Sequence, residues 1–219
     1  MAEHEAELGP ELPDLPAFSA LADRAVAVAT DAGATYADAR VLDLASEALR
    51  VRNGQVEGVR QSSSAGIGIR VIADGCWGFA ATGRLEPQEV ERAARLAVEV
   101  GRSGRLLRAA PVALAEVEPV QGTWANPVEE DPFAIPLGEK LDLLVAATSA
   151  LVAVPGVAIG TGALSAWRLR SLLVTSEGTR VGQRLIQCGA GIDATAVGED
   201  EVQDRSFPNS FFVDCGSAG

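Results

Sequence analysis

The side chains that most often do chemistry are scarce in this chain. Its 219 residues contain one histidine, His4, set among Glu3, Glu5 and Glu7. A Ser-His-Asp or Cys-His relay needs an imidazole that the fold holds against its nucleophile, and a histidine in an acidic leader does not supply one. Zinc needs three or four Cys, His or carboxylate ligands at workable spacing. Cys76, Cys188 and Cys215 form no C-x-x-C pair and have no histidine near them. An odd number of widely spaced cysteines reads as reduced thiols, small and buried or incidental. Lys140 is the only lysine and would have to serve any Ser–Lys dyad. It falls in the first turn of an amphipathic helix beside Glu139, so a solvated surface lysine is expected.

Carboxylates are plentiful, in the runs Glu129-Glu130-Asp131 and Glu199-Asp200-Glu201 with Asp204. Neither run has the ligand spacing of a calcium loop, and charge runs usually form solvated faces. Three glycine strings could cradle phosphate: Gly66-Ile67-Gly68, Gly160-Thr161-Gly162 and Gly189-Ala190-Gly191. That mechanism needs a helix N-terminus directly after the loop, aimed at the pyrophosphate. Each string is followed by strand-like sequence, so close packing between strands or bulges is the better reading.

The bulk properties narrow the class. Hydrophobic residues make up 47% and charged residues 22%, enough to bury a core. With 18 basic and 30 acidic residues the formal net charge is −12, the wrong sign for nucleic acid or a polybasic membrane anchor. No run reaches the ~18 apolar residues of a membrane span. The N-terminal residues, with five acids and no cation before Pro16, do not resemble a secretory signal. A cytoplasmic location is expected, with no nucleic-acid and no membrane partner.

Those residues have to be placed by helices and strands. The apolar spacing of Phe18, Leu21, Ala25, Val26 and Val28 predicts a helix from about Pro16 to Ala32, closed by Gly33. Tyr36–Arg52 reads as extended. Asn53-Gly54 then predicts a tight hairpin into Gln55–Arg60. Gly66–Ile72 reads as a third strand, Asp74-Gly75 as a second tight turn, and Trp77–Ala81 as a fourth strand. A second helix is predicted over about Pro87–Val100, with Val90, Ala94, Ala97 and Val100 inward and Gly101 or Gly104 at its end. Ala109–Pro136 carries five prolines and reads as a long connection. A third helix follows over about Leu137–Val154, with Leu141, Leu144, Val145 and Thr148 on one side. Four more strands follow, Val157–Leu164, Trp167–Thr175, Thr179–Cys188 and Gly191–Val197. The expected fold is therefore α+β: a helix followed by an antiparallel meander, twice, with a Pro-rich connection. Residues 1–15 are expected to be a disordered acidic leader and 16–204 an α+β domain with a possible seam at 109–136. No closing element is expected in Asp204–Gly219.

Several strings, taken in order, resemble one family. Tyr36-Ala37-Asp38-Ala39-Arg40, Arg52-Asn53-Gly54-Gln55-Val56-Glu57-Gly58, Gly66-Ile67-Gly68-Ile69-Arg70-Val71 and Gly75-Cys76-Trp77-Gly78-Phe79-Ala80 resemble the opening of TldD/PmbA proteins. Asp131-Pro132-Phe133, Glu139-Lys140-Leu141, Ser176-Glu177-Gly178, Gly189-Ala190-Gly191 and Arg205-Ser206-Phe207-Pro208-Asn209-Ser210 continue the pattern. The resemblance spans about residues 35–210 and departs after Phe211, where Phe212-Val213-Asp214-Cys215 stand. It implies a cytoplasmic zinc metallopeptidase, historically called a modulator of DNA gyrase, that works as a TldD–TldE heterodimer on unfolded or small peptides. It also implies that zinc is held by an H-E-x-x-x-H helix in a C-terminal half.

No such motif occurs in residues 1–219, so the resemblance carries no catalytic, metal or cofactor-binding residue onto this chain. Zinc is expected only in the C-terminal domain, and residues 205–219 as the start of the connection to it. The expected function is the N-terminal, non-catalytic part of such a peptidase, inactive alone, with a TldE/PmbA-like subunit and a peptide substrate as partners. The alternative is a stand-alone truncated paralogue that binds peptides or a partner. Arg205, Phe207, Pro208 and Asn209 are the candidates for substrate or partner contact.

Overall fold

A computed structural model describes residues 15–106 and 109–208. Among these residues lie three α-helices: α1 (Leu15–Asp31), α2 (Pro87–Ser103) and α3 (Leu137–Val152). The strands are β1 (Tyr36–Arg52), β2 (Gln55–Ala73), β3 (Cys76–Thr82), β4 (Gln121–Ala125), β5 (Val157–Thr175), β6 (Arg180–Val197) and β7 (Val202–Phe207). They hydrogen-bond in the order β3-β2-β1-β5-β6-β4, with β7 also on β6. The helix-then-meander pattern does occur twice: α1 precedes β1-β2-β3 and α3 precedes β5-β6-β7. The pairs β2/β3 and β6/β7 are antiparallel.

Local chemistry explains the turns. Asn53 and Gly54 have φ of 50° and 74°, and Asp74 and Gly75 have 49° and 73°, the paired positive values of a type I′ hairpin turn. Gly33, at φ 95°, ends α1 while its N–H and that of Ala34 return to the Thr30 and Ala29 carbonyls.

The strands are longer than the sequence pattern suggests. Gln55–Arg60 and Gly66–Ile72 are one 19-residue strand, β2, because the small polar bridge Gln61–Ala65 contains no proline and no turn-forming pair. The predicted pairs 157–164 with 167–175, and 179–188 with 191–197, are likewise single strands, β5 and β6. The Pro-rich connection contains β4, which pairs in parallel with β6, unlike the antiparallel pairs β2/β3 and β6/β7. Its flanking Pro119 and Pro127 mask a strand at an edge position, where proline is tolerated. Asp204–Phe207, expected to be without a closing element, belongs to β7. Val100 points outward, 45% exposed, because the buried stripe of α2 runs through Val90, Ala94, Ala97, Val98 and Gly101. At 100° per residue, Val98 and Val100 cannot share that stripe. Apart from Leu15, which opens α1, the leader lies outside the described residues.

Two compact units emerge, each discontinuous in sequence. The first draws on Met1–Leu44, Ser64–Asn126 and Leu169–Leu185. In it α1 and α2 cover one sheet face, burying Ala37, Ala39 and Val41 of β1 with Ile67, Ile69 and Val71 of β2. Much of the helical contribution is alanine (Ala22, Ala25, Ala29, Ala94, Ala97). Each alanine methyl contributes only ~0.8 kcal/mol on burial, so close approach has to supply dispersion. A Cβ built on Gly78 of β3 would lie 2.0 Å from the Ala97 carbonyl oxygen of α2.

The second unit draws on Ala45–Ser63, Pro127–Arg168 and Ile186–Gly219. There α3 packs Leu144 on Leu49, Val51 and Leu164. Gly160 and Gly162 make room for it, since a Cβ at either would meet Leu151 at 2.9 Å or Thr148 at 3.1 Å. The second glycine string thus serves helix–sheet packing.

Gly78→Ala should cost about 3 kcal/mol, the upper range for overpacking a tight interface. Gly58→Ala, with nothing within 4 Å of the new methyl, should stay within about 0.5 kcal/mol of the parent. Urea denaturation of the two variants checks both.

Candidate functional site

A β-strand shows alternate side chains to opposite faces. In the first unit odd positions of β1 and β2 lie under the helices, so the even positions face the other way, with Arg40, Leu42, Leu44 and Arg70 exposed and Asp38 and Ile72 buried. At one end of that face Arg70 donates from Nε and Nη2 to Oδ2 of Asp38, both at 2.8 Å, and Asp38 is 6% exposed. The Arg70 guanidinium carbon stands 4.9 Å from the centroid of Trp77, whose ring meets Tyr36 edge-on at 6.0 Å. Burial pushes the Tyr36 phenol up to about 12, with the Asp38 carboxylate adding and Arg70 opposing. The hydrogen bond to Asp38 pushes the Arg70 guanidinium up as well.

Farther along the same face lies a groove of about 540 Å³, with Leu42, Leu44 and Leu169 on one side and Phe79 and Ala81 on the other. Gly66 and Gly68 also line it, and a Cβ on Gly66 would meet the Thr82 carbonyl oxygen at 3.1 Å and one on Gly68 the Phe79 ring at 3.2 Å. The first glycine string therefore lets Phe79 and the end of β3 settle against β2.

The second unit holds a buried charge pair. Lys140 Nζ donates to Glu47 Oε1 and, at 3.0 Å, to the Pro132 carbonyl. Gln61 Nε2 donates to the other Glu47 oxygen at 2.6 Å. Lys140 and Glu47 are only 5% and 4% exposed, so the expectation of a solvated Lys140 is wrong. Its aliphatic stem suits the apolar underside of α3, and a carboxylate 93 residues away in sequence neutralises its head. Arg168 stacks on Phe133 at 4.9 Å. Cys188 is exposed, yet desolvation pushes its thiol above the ordinary range, with Lys140 opposing and Glu47 adding. Burial outweighs the pull of the Lys140 ammonium, so the thiol is not activated.

The same unit exposes a strand edge. The pairing of β3 with β2 runs from Ala73↔Cys76 to Ile67↔Thr82 and goes no further. The next neighbour of β2 is β1, so the opposite edge of Gln55–Ser63 carries no strand among the described residues. Every residue from Gln55 to Ser63 is exposed. Alternate N–H and C=O groups on that edge are free to pair with another extended chain.

The contact candidates fall elsewhere. Arg205 and Phe207 lie on β7 opposite Ala194 and Ile192, and Arg205 Nη1 donates to the Asp204 carbonyl at 2.7 Å. Phe207 is 74% exposed and Pro208 is exposed, while Asn209 lies outside the described residues. Residues 205–207, expected as the start of a connection, therefore lie in a strand. The third glycine string runs through the middle of β6. Among the described residues no group of three or more His, Cys, Asp or Glu could hold a metal ion, and His4 and Cys215 lie outside them. None of their helices is long and apolar enough to cross a membrane. Two features were missed from the sequence: the Glu47–Lys140 pair and the free β2 edge. Only the solitary lysine pointed to the first.

Residues 37–101 match the family PmbA/TldA metallopeptidase domain 1, and residues 130–215 match the PmbA/TldA metallopeptidase central domain. A Synechocystis metalloprotease, slr0863, is 32% identical over 144 residues, covering 62% of this chain and 28% of that protein. A solved structure from Bacteroides thetaiotaomicron, titled a modulator of DNA gyrase, aligns with TM-score 0.71 at 16% identity, over 86% of this chain and 43% of that one. A similarly titled Thermotoga maritima protein gives 0.68 at 18% identity, over 86% and 42%. TldE from Thermococcus kodakarensis gives 0.59 at 18%, over 87% and 42%. The chain spans less than half the length of each of these proteins, and the structural likeness shows a shared fold.

Two outcomes are expected. The chain has a single tyrosine, so absorbance at the phenolate band titrates Tyr36 alone, with a midpoint near 12. The folded value lies above the unfolded one, near 10. The stabilising contribution of the neutral phenol is therefore complete below about pH 10 and is lost as the pH rises through the folded value. Separately, Lys140→Met should cost about 3 kcal/mol by stranding a buried carboxylate, and the double variant with Glu47→Leu should lose much less. Urea denaturation of the single and double variants reads this.

Proposed function

Because the chain belongs to the PmbA/TldD metallopeptidase family, we propose that it is the N-terminal, non-catalytic part of a TldD-like zinc peptidase. In this reading it presents an extended peptide to a zinc domain that residues 1–219 do not contain. The observation that carries the reading is the exposed β2 edge over Gln55–Ser63. Backbone pairing at a strand edge takes many sequences with little regard to side chain, which suits a peptidase acting on unfolded or small peptides. The described residues do not fit a zinc ion, and no chemical step is assigned to them. Zinc chemistry, activation of a water for attack on a peptide carbonyl, belongs in this proposal to the other half of the enzyme.

The same reading gives the chain a TldE-like partner subunit and a cytoplasmic setting. The TldE structure from Thermococcus supports a shared fold between the two kinds of subunit. Direct DNA binding gains nothing from the −12 charge.

The purified 219-residue chain is expected to retain no stoichiometric Zn²⁺ and to leave casein intact. In fluorescence anisotropy it should bind a labelled unstructured peptide but not the same peptide N-methylated at alternate residues. Chelator-sensitive proteolysis by the chain alone would overturn the assignment of catalysis elsewhere. Equal binding of the methylated peptide would overturn edge pairing.

A further inference from the structure

The open-face groove of the first unit has a charge pattern unlike the rest of the chain. Against a net charge of −12, no carboxylate lines it, and its one charged residue is the exposed Arg40. Arg40 forms no ion pair among the described residues. Beside it stand large apolar side chains that water still reaches: Leu42 is 42%, Leu44 38% and Phe79 60% exposed. Exposed apolar side chains gathered around one slot are the kind of surface on which a partner gains by burial. A cation at the end of an apolar slot selects a ligand with an apolar group followed by an anion.

The backbone around the slot favours a peptide over another anionic amphiphile. The groove lies where β3 leaves β2, just past the last pair Ile67↔Thr82, and Ser64, Ala65 and Gly66 of β2 form part of its wall. Past that pair the outer edge of Ser64–Gly66 has no β3 partner, so a strand-like segment can lie along it and set one side chain in the slot.

Resting on the peptide-presenting reading, we propose that this groove is a specificity subsite for an extended peptide with an apolar residue next to an acidic one. The apolar side chain packs on Leu42, Leu44 and Phe79. The neighbouring carboxylate meets the Arg40 guanidinium.

The test uses the 219-residue chain and three labelled hexapeptides in a serine-threonine background, carrying a Leu-Glu, a Leu-Lys or a Ser-Glu step. Anisotropy should rank Leu-Glu tightest. Arg40→Gln should weaken the Leu-Glu peptide about five-fold, the size of an exposed ion pair, and leave the Leu-Lys peptide unchanged. Phe79→Ser, at an exposed position that should not disturb folding, should weaken both leucine peptides. Equal binding of all three peptides, lost on alternate N-methylation, would overturn the subsite and leave edge pairing standing. Absence of binding by any peptide would overturn both. Competition by an anionic lipid vesicle through Arg40, with no peptide preference, would assign the groove to lipid and overturn the proposal. Binding that appears only after residues 1–14 are removed would assign it to the chain's own acidic leader, and would overturn it too.

Discussion

One constraint organises this molecule: a strand has two faces, and in the first unit helices cover only one of them. The odd residues of β1 and β2 are sealed under α1 and α2 by alanines and by Gly78, which let the helices approach closely. Of the even residues, Arg40, Leu42, Leu44 and Arg70 are exposed, and Asp38 is buried beside Arg70. Everything distinctive about the open face follows, including Asp38–Arg70, the Arg70–Trp77 stack and the slot between Leu42 and Phe79. A one-residue slip of β1 would bury Arg40 and Leu42 and expose Ala39 and Val41, so register and function are specified together.

The second unit solves a different problem. Here α3 meets the sheet through few apolar residues, and a buried Glu47–Lys140 pair joins a strand, a helix and the Pro132 carbonyl. Such a pair offsets a large desolvation cost and contributes little net stability. Its effect is to fix which residues meet. Glu47 on β1 reaches Lys140, and Gln61 on β2 reaches Glu47, so β1 and β2 are held in register next to the exposed edge. That edge is the feature the proposed function depends on.

Much of this was legible in the sequence, and the exceptions share a cause. The two hairpin turns, the three helices and the repeated helix-then-meander order follow from short-range signals: Asn-Gly, Asp-Gly, a glycine cap and apolar spacing. Gln61–Ala65 and Gly189-Ala190 read as breaks because small and polar residues weaken a strand, yet pairing with neighbouring strands carries β2 and β6 through them. β4 was hidden by its flanking prolines and depends on a partner about 60 residues away. Lys140 read as solvated because its burial depends on Glu47, and no local window contains both. The site was least legible, because an edge and an open face are defined by what does not cover them.

The most direct measurement is amide hydrogen exchange on the chain with and without a saturating unstructured peptide. If the chain presents peptides by edge pairing, amides on alternate residues of Gln55–Ser63 should slow when the peptide is bound, while those of α1 and α2 stay unchanged. Unchanged exchange over Gln55–Ser63 with a demonstrably bound peptide would contradict the account.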